Sequence, residues 1–182
     1  MNDAQAKRAV ATLGVAAMAL LTGCASSVSG SPQPGASASA SPPAAANPFA
    51  AMNQCALLDE LLAGQGFPKA SPDVADPDHA CGTSKPSSAT TRGLDVGLNL
   101  QAGRGYKENI TDPGKARTGD VNGRPAIEEP APLGSPGQCS IAMSVEPGSR
   151  AIVDVSSGSD TVAACDTAKQ LAVQFEPKLP KS

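Results

Sequence analysis

Five cysteines, one histidine and a short run of aspartates are the residues of this 182-residue chain that bear most directly on chemistry. His79 is the sole histidine, so neither a catalytic triad nor a multi-histidine metal site assembles from this chain alone. It stands near Asp73, Asp76 and Asp78, whose carboxylates on one loop are the best candidates for holding Ca²⁺. The central glycine and terminal glutamate of a calcium loop are missing, and the segment reads as a solvated acidic loop stiffened by Pro72 and Pro77. Glu128 and Glu129 are neighbours, and on a strand they point to opposite sides, which spoils them as an acid–base pair. No serine lies in a nucleophile-elbow pattern, and Gly64, Gly66, Gly103 and Gly105 lack the helix-opening context of a phosphate cradle. Arg104 and Arg124 are expected at the surface, where isolated arginines are ordinary. Cys55, Cys81, Cys139 and Cys165 include no pair two residues apart, so a thioredoxin-like motif and a zinc knuckle are both excluded. The reading is of a chain with no catalytic, cofactor-binding or metal-ligating set of its own.

Cys24 is different. Lys7 and Arg8 precede an apolar run over residues 9–21, and Thr22 and Gly23 follow it. Positive charge, apolar core and small residues in that order make a secretory signal peptide, and roughly a dozen apolar residues fall short of the roughly 20 of a spanning helix. Leu21, Thr22, Gly23 and Cys24 resemble the bacterial lipobox, in which the cysteine thiol receives a diacylglyceryl group before cleavage on its N-terminal side. Residues 1–23 are therefore expected to direct export, and Cys24 to become a lipid-bearing N-terminus. Each buried acyl CH₂ is worth about 0.8 kcal/mol, so more than one chain makes the anchorage effectively permanent.

From residue 25 to about 47 the chain is almost all Ser, Ala, Pro and Gly, without charge or apolar periodicity. Such a segment cannot bury enough surface to offset its ordering entropy, and residues 24–48 read as a lipidated, disordered tether. Residues 49–180 are left for one modest domain. It has no Trp, one Tyr and three Phe, so aromatic burial contributes little. The net charge of −3 becomes one unit more negative once Lys7, Arg8 and Asp3 are removed, which argues against nucleic acid and against adhesion of the protein surface to anionic lipid.

Helical spacing of Cys55, Leu58 and Leu62 predicts a short amphipathic helix over about 49–63. Residues 71–88 read as loop. Leu94, Val96, Leu98 and Leu100 alternate with polar or small residues, as do Cys139, Ile141, Met143 and Val145, and then Ala151, Val153 and Val155. These are half-buried strands, the last two forming an antiparallel hairpin through Pro147, Gly148 and Ser149. Residues 102–120 read as a loop or weakly helical crossover, and 124–128 as a short edge segment that tolerates Pro125. Ser159 or Asp160 caps a last helix that puts Ala164 or Cys165, Ala168, Leu171 or Ala172, and Phe175 on one face and ends before Pro177. The expected fold is α+β, a small antiparallel sheet with an N-terminal and a C-terminal helix packed on it. An exported chain with a thin core and four further cysteines is the setting for two disulfides. Of the three pairings available, Cys55–Cys81 and Cys139–Cys165 are preferred, because each joins a helix to its neighbouring loop or hairpin.

Taken together, Cys55-Ala56-Leu57-Leu58 in a first helix, Cys81, then Gly123-Arg124-Pro125-Ala126, Cys139 on its alternating strand and Cys165 in a last helix near Leu179 and Pro180 resemble the actinobacterial cell-envelope lipoproteins with a four-cysteine domain of unknown function. The likeness covers about residues 50–180 and extends to the lipobox and tether. Such domains often carry a Trp shortly after the second cysteine, where this chain has Gly82, Thr83 and Ser84. The resemblance implies an envelope location and the same cysteine pairing, and supplies no activity. The leading expectation is a noncatalytic interaction module, lipid-anchored on the extracytoplasmic face of the cell membrane, with an envelope protein as partner. A carrier or sensor of a small apolar ligand, with a pocket lined by residues such as Leu98, Met143 and Phe175, is the alternative. An envelope hydrolase using His79, Asp76 and Asp78 comes third.

Overall fold

Asn53 and Asp160 each accept a hydrogen bond from the backbone N–H three residues on, at 2.9 Å from Ala56 and 3.0 Å from Ala163. These caps open the two α-helices, α1 (Gln54–Leu61) and α2 (Thr161–Phe175). The computed structural model describes residues 47–145 and 148–181. The expected signal peptide, the expected lipidation at Cys24 and the expected tether up to residue 46 lie outside the described residues, as do Glu146 and Pro147 of the expected hairpin turn. No helix among the described residues is long and apolar enough to cross a membrane. The first helix is shorter than its apolar spacing predicts. Residues 48–51 form a turn, with Met52 N bonded to Phe49 O at 2.8 Å, and the helix begins only where Asn53 offers its side chain.

The strands are β1 (Ser71–Pro72), β2 (Ala80–Lys85), β3 (Leu94–Gln101), β4 (Arg117–Val121), β5 (Arg124–Pro130), β6 (Gln138–Ser144) and β7 (Arg150–Ser156). They form one seven-stranded sheet in the order β1-β2-β3-β7-β6-β5-β4, every neighbouring pair antiparallel. Two meanders, β1 to β3 and β4 to β7, thus meet along the β3–β7 pair. β1 and β2 occupy a stretch that composition reads as loop, since the inward residues of β2 are Cys81 and Thr83 rather than a run of aliphatics. β5 is internal, not an edge: β4 covers its outer side. Pro125 is accommodated because it pairs with Asp120 of β4 and lies outside the β5–β6 ladder, which starts at Ala126.

Val96, Leu98 and Leu100 of β3, Ala151, Val153 and Val155 of β7, and Cys139, Ile141 and Met143 of β6 face the helices and are buried. α1 brings Leu58 and Leu61 to this face, and α2 brings Ala164, Cys165, Ala168, Leu171, Ala172 and Phe175, which is fully buried. Cys55–Cys81 fastens α1 to β2, and Cys139–Cys165 fastens α2 to β6, each across a sequence separation of 26 residues. Gly137 joins the start of β6 to the start of α2. Its φ is +82°, and a Cβ there would lie 1.9 Å from the Gly158 carbonyl oxygen, so only glycine fits.

Candidate functional site

Both helices take one face of the sheet, so function is sought on the other. That face carries the polar halves of the strand alternations. A strap, residues 102–116, crosses it diagonally from the end of β3 to the start of β4. Two buried charges hold the strap. Arg150 donates to the carbonyl oxygens of Glu108 and Gly105 and, at 2.8 Å, to Gln101 Oε1. Glu129 accepts from Thr111 N at 2.8 Å, from Asp112 N at 3.2 Å and from the Thr111 hydroxyl. Burial, and then the charge of Arg104, push the Arg150 guanidinium below its ordinary pKa.

The corner that the strap leaves open is a trough of about 670 Å³. Its floor is a single cross-sheet row. Ser71, Gly82, Gly97, Asp154 and Ser140 are successive register partners on β1, β2, β3, β7 and β6, and Glu129 of β5 continues the row beneath the strap. One wall is formed by residues 68–74, and Pro132 stands at the other end. Ser140 donates its hydroxyl to Asp154 Oδ1. Burial pushes the Asp154 carboxyl above the ordinary range for aspartate. The Ser140 hydroxyl and Arg150 draw it back, and Glu129 raises it further. It is a carboxylate short of positive charge, partly open to the trough and otherwise enclosed by protein.

The residues singled out by type are mostly elsewhere. His79 Nδ1 is bonded to Asp76 Oδ1 at 2.7 Å in the β1–β2 connection, and Asp73 is spent on the Ala75 N–H at 2.7 Å, though it also reaches the trough wall. Among the described residues, Asp73, Asp76, Asp78 and His79 supply no three ligand atoms close enough to share an ion; the one such group is Glu128, Cys139 and Cys165, and its cysteines are joined in a disulfide. Glu128 and Glu129 do point to opposite faces: Glu128 pairs with Lys169 of α2 at 2.9 Å and with Arg117 at 2.8 Å.

Arg124 corrects an expectation. It is buried, not exposed, because its guanidinium meets Glu176 Oε1 at 2.9 Å, Ser144 O at 2.9 Å and Pro180 O at 3.0 Å. Leu98, Met143 and Phe175 belong to the buried core cluster, and none of them lines the trough. The residues that inspection of types missed are Asp154, Ser140 and the glycine pair. Their signal is weak: Gly97, Ser140 and Asp154 are the outward members of three alternating strands, Gly82 lies on β2, which does not alternate, and only the strand register puts them in one row. In what it can do chemically, the open part of the row is a receptor for donors: the Asp154 carboxylate, the hydroxyls of Ser71 and Ser140 and two glycines, with no imidazole or thiol. Compared with protein-family models, with curated proteins and with solved structures, the chain matches none.

Proposed function

We propose that the chain is a lipoprotein of the cell envelope, held on the extracytoplasmic face of the membrane through lipid on Cys24, whose disulfide-stapled domain is a noncatalytic module that binds an envelope protein. The address rests on the order Lys7-Arg8, apolar run, Leu21 to Cys24, followed by a neutral Ser/Ala/Pro/Gly spacer. Two disulfides across a thin core agree with an oxidising compartment. The binding role rests on one observation above all: a rigid sheet, with its apolar face sealed by two stapled helices, leaves open a polar trough on the other face. The likeness to four-cysteine envelope lipoproteins points to the same location.

Proximity crosslinking of the full-length protein in its native envelope, with Cys24→Ala as control, tests this reading. The native protein is expected in the membrane fraction with a recurrent protein neighbour, and the variant is expected to lose both. Recurrent capture of lipid and no protein would replace the interaction module by a carrier. Membrane attachment that survives Cys24→Ala would overturn the anchor.

A further inference from the structure

Gly82 and Gly97 lie side by side in the sheet, directly paired between β2 and β3. Neither has the left-handed backbone that requires glycine. A Cβ on Gly82 would meet Val96 O at 3.6 Å, and one on Gly97 would meet Asp154 Cβ at 3.6 Å, both ordinary contacts. A Cβ would therefore fit at either position, and a β-branched residue has the higher strand propensity, whereas glycine in a strand interior weakens it. What two adjacent glycines provide here is a floor without side chains, the condition for another backbone to come close.

The dimensions and the rims indicate what comes close. From β1 to β6 the trough spans four inter-strand spacings, about 19 Å at ~4.8 Å each. An extended chain covers that in about six residues, whereas a small metabolite would fill only part of it. Exposed apolar side chains stand at the two ends. Val74 is 100% exposed on the wall beside β1, and Leu133, next to Pro132, is 82% exposed. Leu133 and Ala131 hold φ values of 57° and 49°, a backbone conformation that side chains other than glycine adopt at a cost.

Charge selects the chemistry. Asp73, Asp95 and Asp154 line the trough against one cation, Lys69, which is itself 3.6 Å from Asp59. Among the described residues, Ser140 is the only hydrogen-bond donor to Asp154. Building on the binding-module reading, we propose that the trough docks an extended segment of a partner protein, laid across the strands over Gly82 and Gly97, with a lysine or arginine side chain against Asp154. An ammonium or guanidinium there makes a charge-assisted bond to a carboxylate that the fold leaves without a cation in contact.

The test uses the full-length lipidated protein in phosphatidylcholine nanodiscs. Its probes are fluorescent six-residue alanine–valine peptides with one central lysine, arginine, Nε-acetyl-lysine or glutamate, followed by anisotropy. The lysine and arginine peptides are expected to bind at least about tenfold more tightly than the other two, and Asp154→Asn to remove that preference. Gly97→Val is expected to abolish binding while the melting temperature stays at or above that of the parent, and Gly82→Ala to weaken binding without loss of fold. Equal binding of all four peptides, blocked by Gly97→Val, would overturn the cationic specificity and leave the binding module intact. Lysine-peptide binding untouched by Gly97→Val and Gly82→Ala would overturn the trough as the site. No peptide binding, together with a crosslinked partner retained in Gly97→Val, would move the module to another surface; no peptide and no partner would end both readings.

Discussion

The two meanders use one device, a helix stapled to its strand by a disulfide spanning 26 residues, in very different surroundings. The C-terminal half has a 15-residue helix with six buried residues over four strands, and Arg124 ties the end of that helix to the sheet. The N-terminal half has an eight-residue helix with two buried residues, a two-residue edge strand and long turns. The same crosslink therefore supplements a packed core in one half and stands in for much of one in the other. Where little apolar surface is buried, a covalent constraint on the unfolded chain carries a larger share of the stability.

The largest effect is expected from Phe175→Ala, which empties the centre of the C-terminal core at a cost of about 3–5 kcal/mol and lowers the melting temperature of the whole domain. Unfolding confined to α2 would break the comparison. Serine replacement of either cystine follows, at about 3.5 kcal/mol apiece in the chain-entropy model. Amide exchange separates the two: loss of Cys55–Cys81 is expected to speed exchange in α1 and β2 with β6 and β7 still protected, and loss of Cys139–Cys165 to speed it throughout. Identical exchange maps would show that the halves are not distinct. Asn53→Ala is expected to cost about 1 kcal/mol, and chemical denaturation should show it felt chiefly in α1, whose two turns depend on the cap. Asp160 caps the longer helix, which six buried residues also hold to the sheet, and its replacement by alanine is expected to matter less.

Asp154 sits at the seam, on β7 where it faces β3, and gives the smallest and most diagnostic effect. Its carboxyl titrates higher in the folded than in the unfolded chain, so the folded state binds more protons between the two values. Its ionisation therefore subtracts from stability as pH rises through that window. Asp154→Asn is expected to melt at a higher temperature than the parent at pH 7, with the gap closing as pH falls below the ordinary aspartate range. A gap independent of pH would show that Arg150 and Ser140 already compensate the charge against Glu129.

β3, the β6–β7 hairpin and α2 are legible in the sequence, because each turns an apolar side to the core and a more polar one away from it, and so keeps a period. Asp160 announces the start of α2. β2 is not legible: with Cys81 and Thr83 inward and Gly82 and Ser84 outward, it carries no hydrophobic alternation, and its pairing with β3 and its disulfide define it. Arg124 reads as a surface residue because its partners, Glu176 and the carbonyls of Ser144 and Pro180, are 20 to 56 residues away. The trough is hidden for a related reason. Gly82, Gly97, Ser140 and Asp154 become neighbours only through a register fixed by long-range pairing.

The two disulfides join first to second and third to fourth of the four cysteines of the domain. On the export route proposed above, a chain threaded N-terminus first into an oxidising space presents Cys55 and Cys81 before Cys139 appears. Oxidation in simple order of arrival thus yields the native connectivity, and an isomerase has no wrong pair to undo. The sheet has the opposite timing: β3 waits for β7, about 50 residues later, with one edge bare. On that route the first staple is in place on half a sheet until then, and shielding that edge, not sorting the thiols, is the assistance expected from the surroundings.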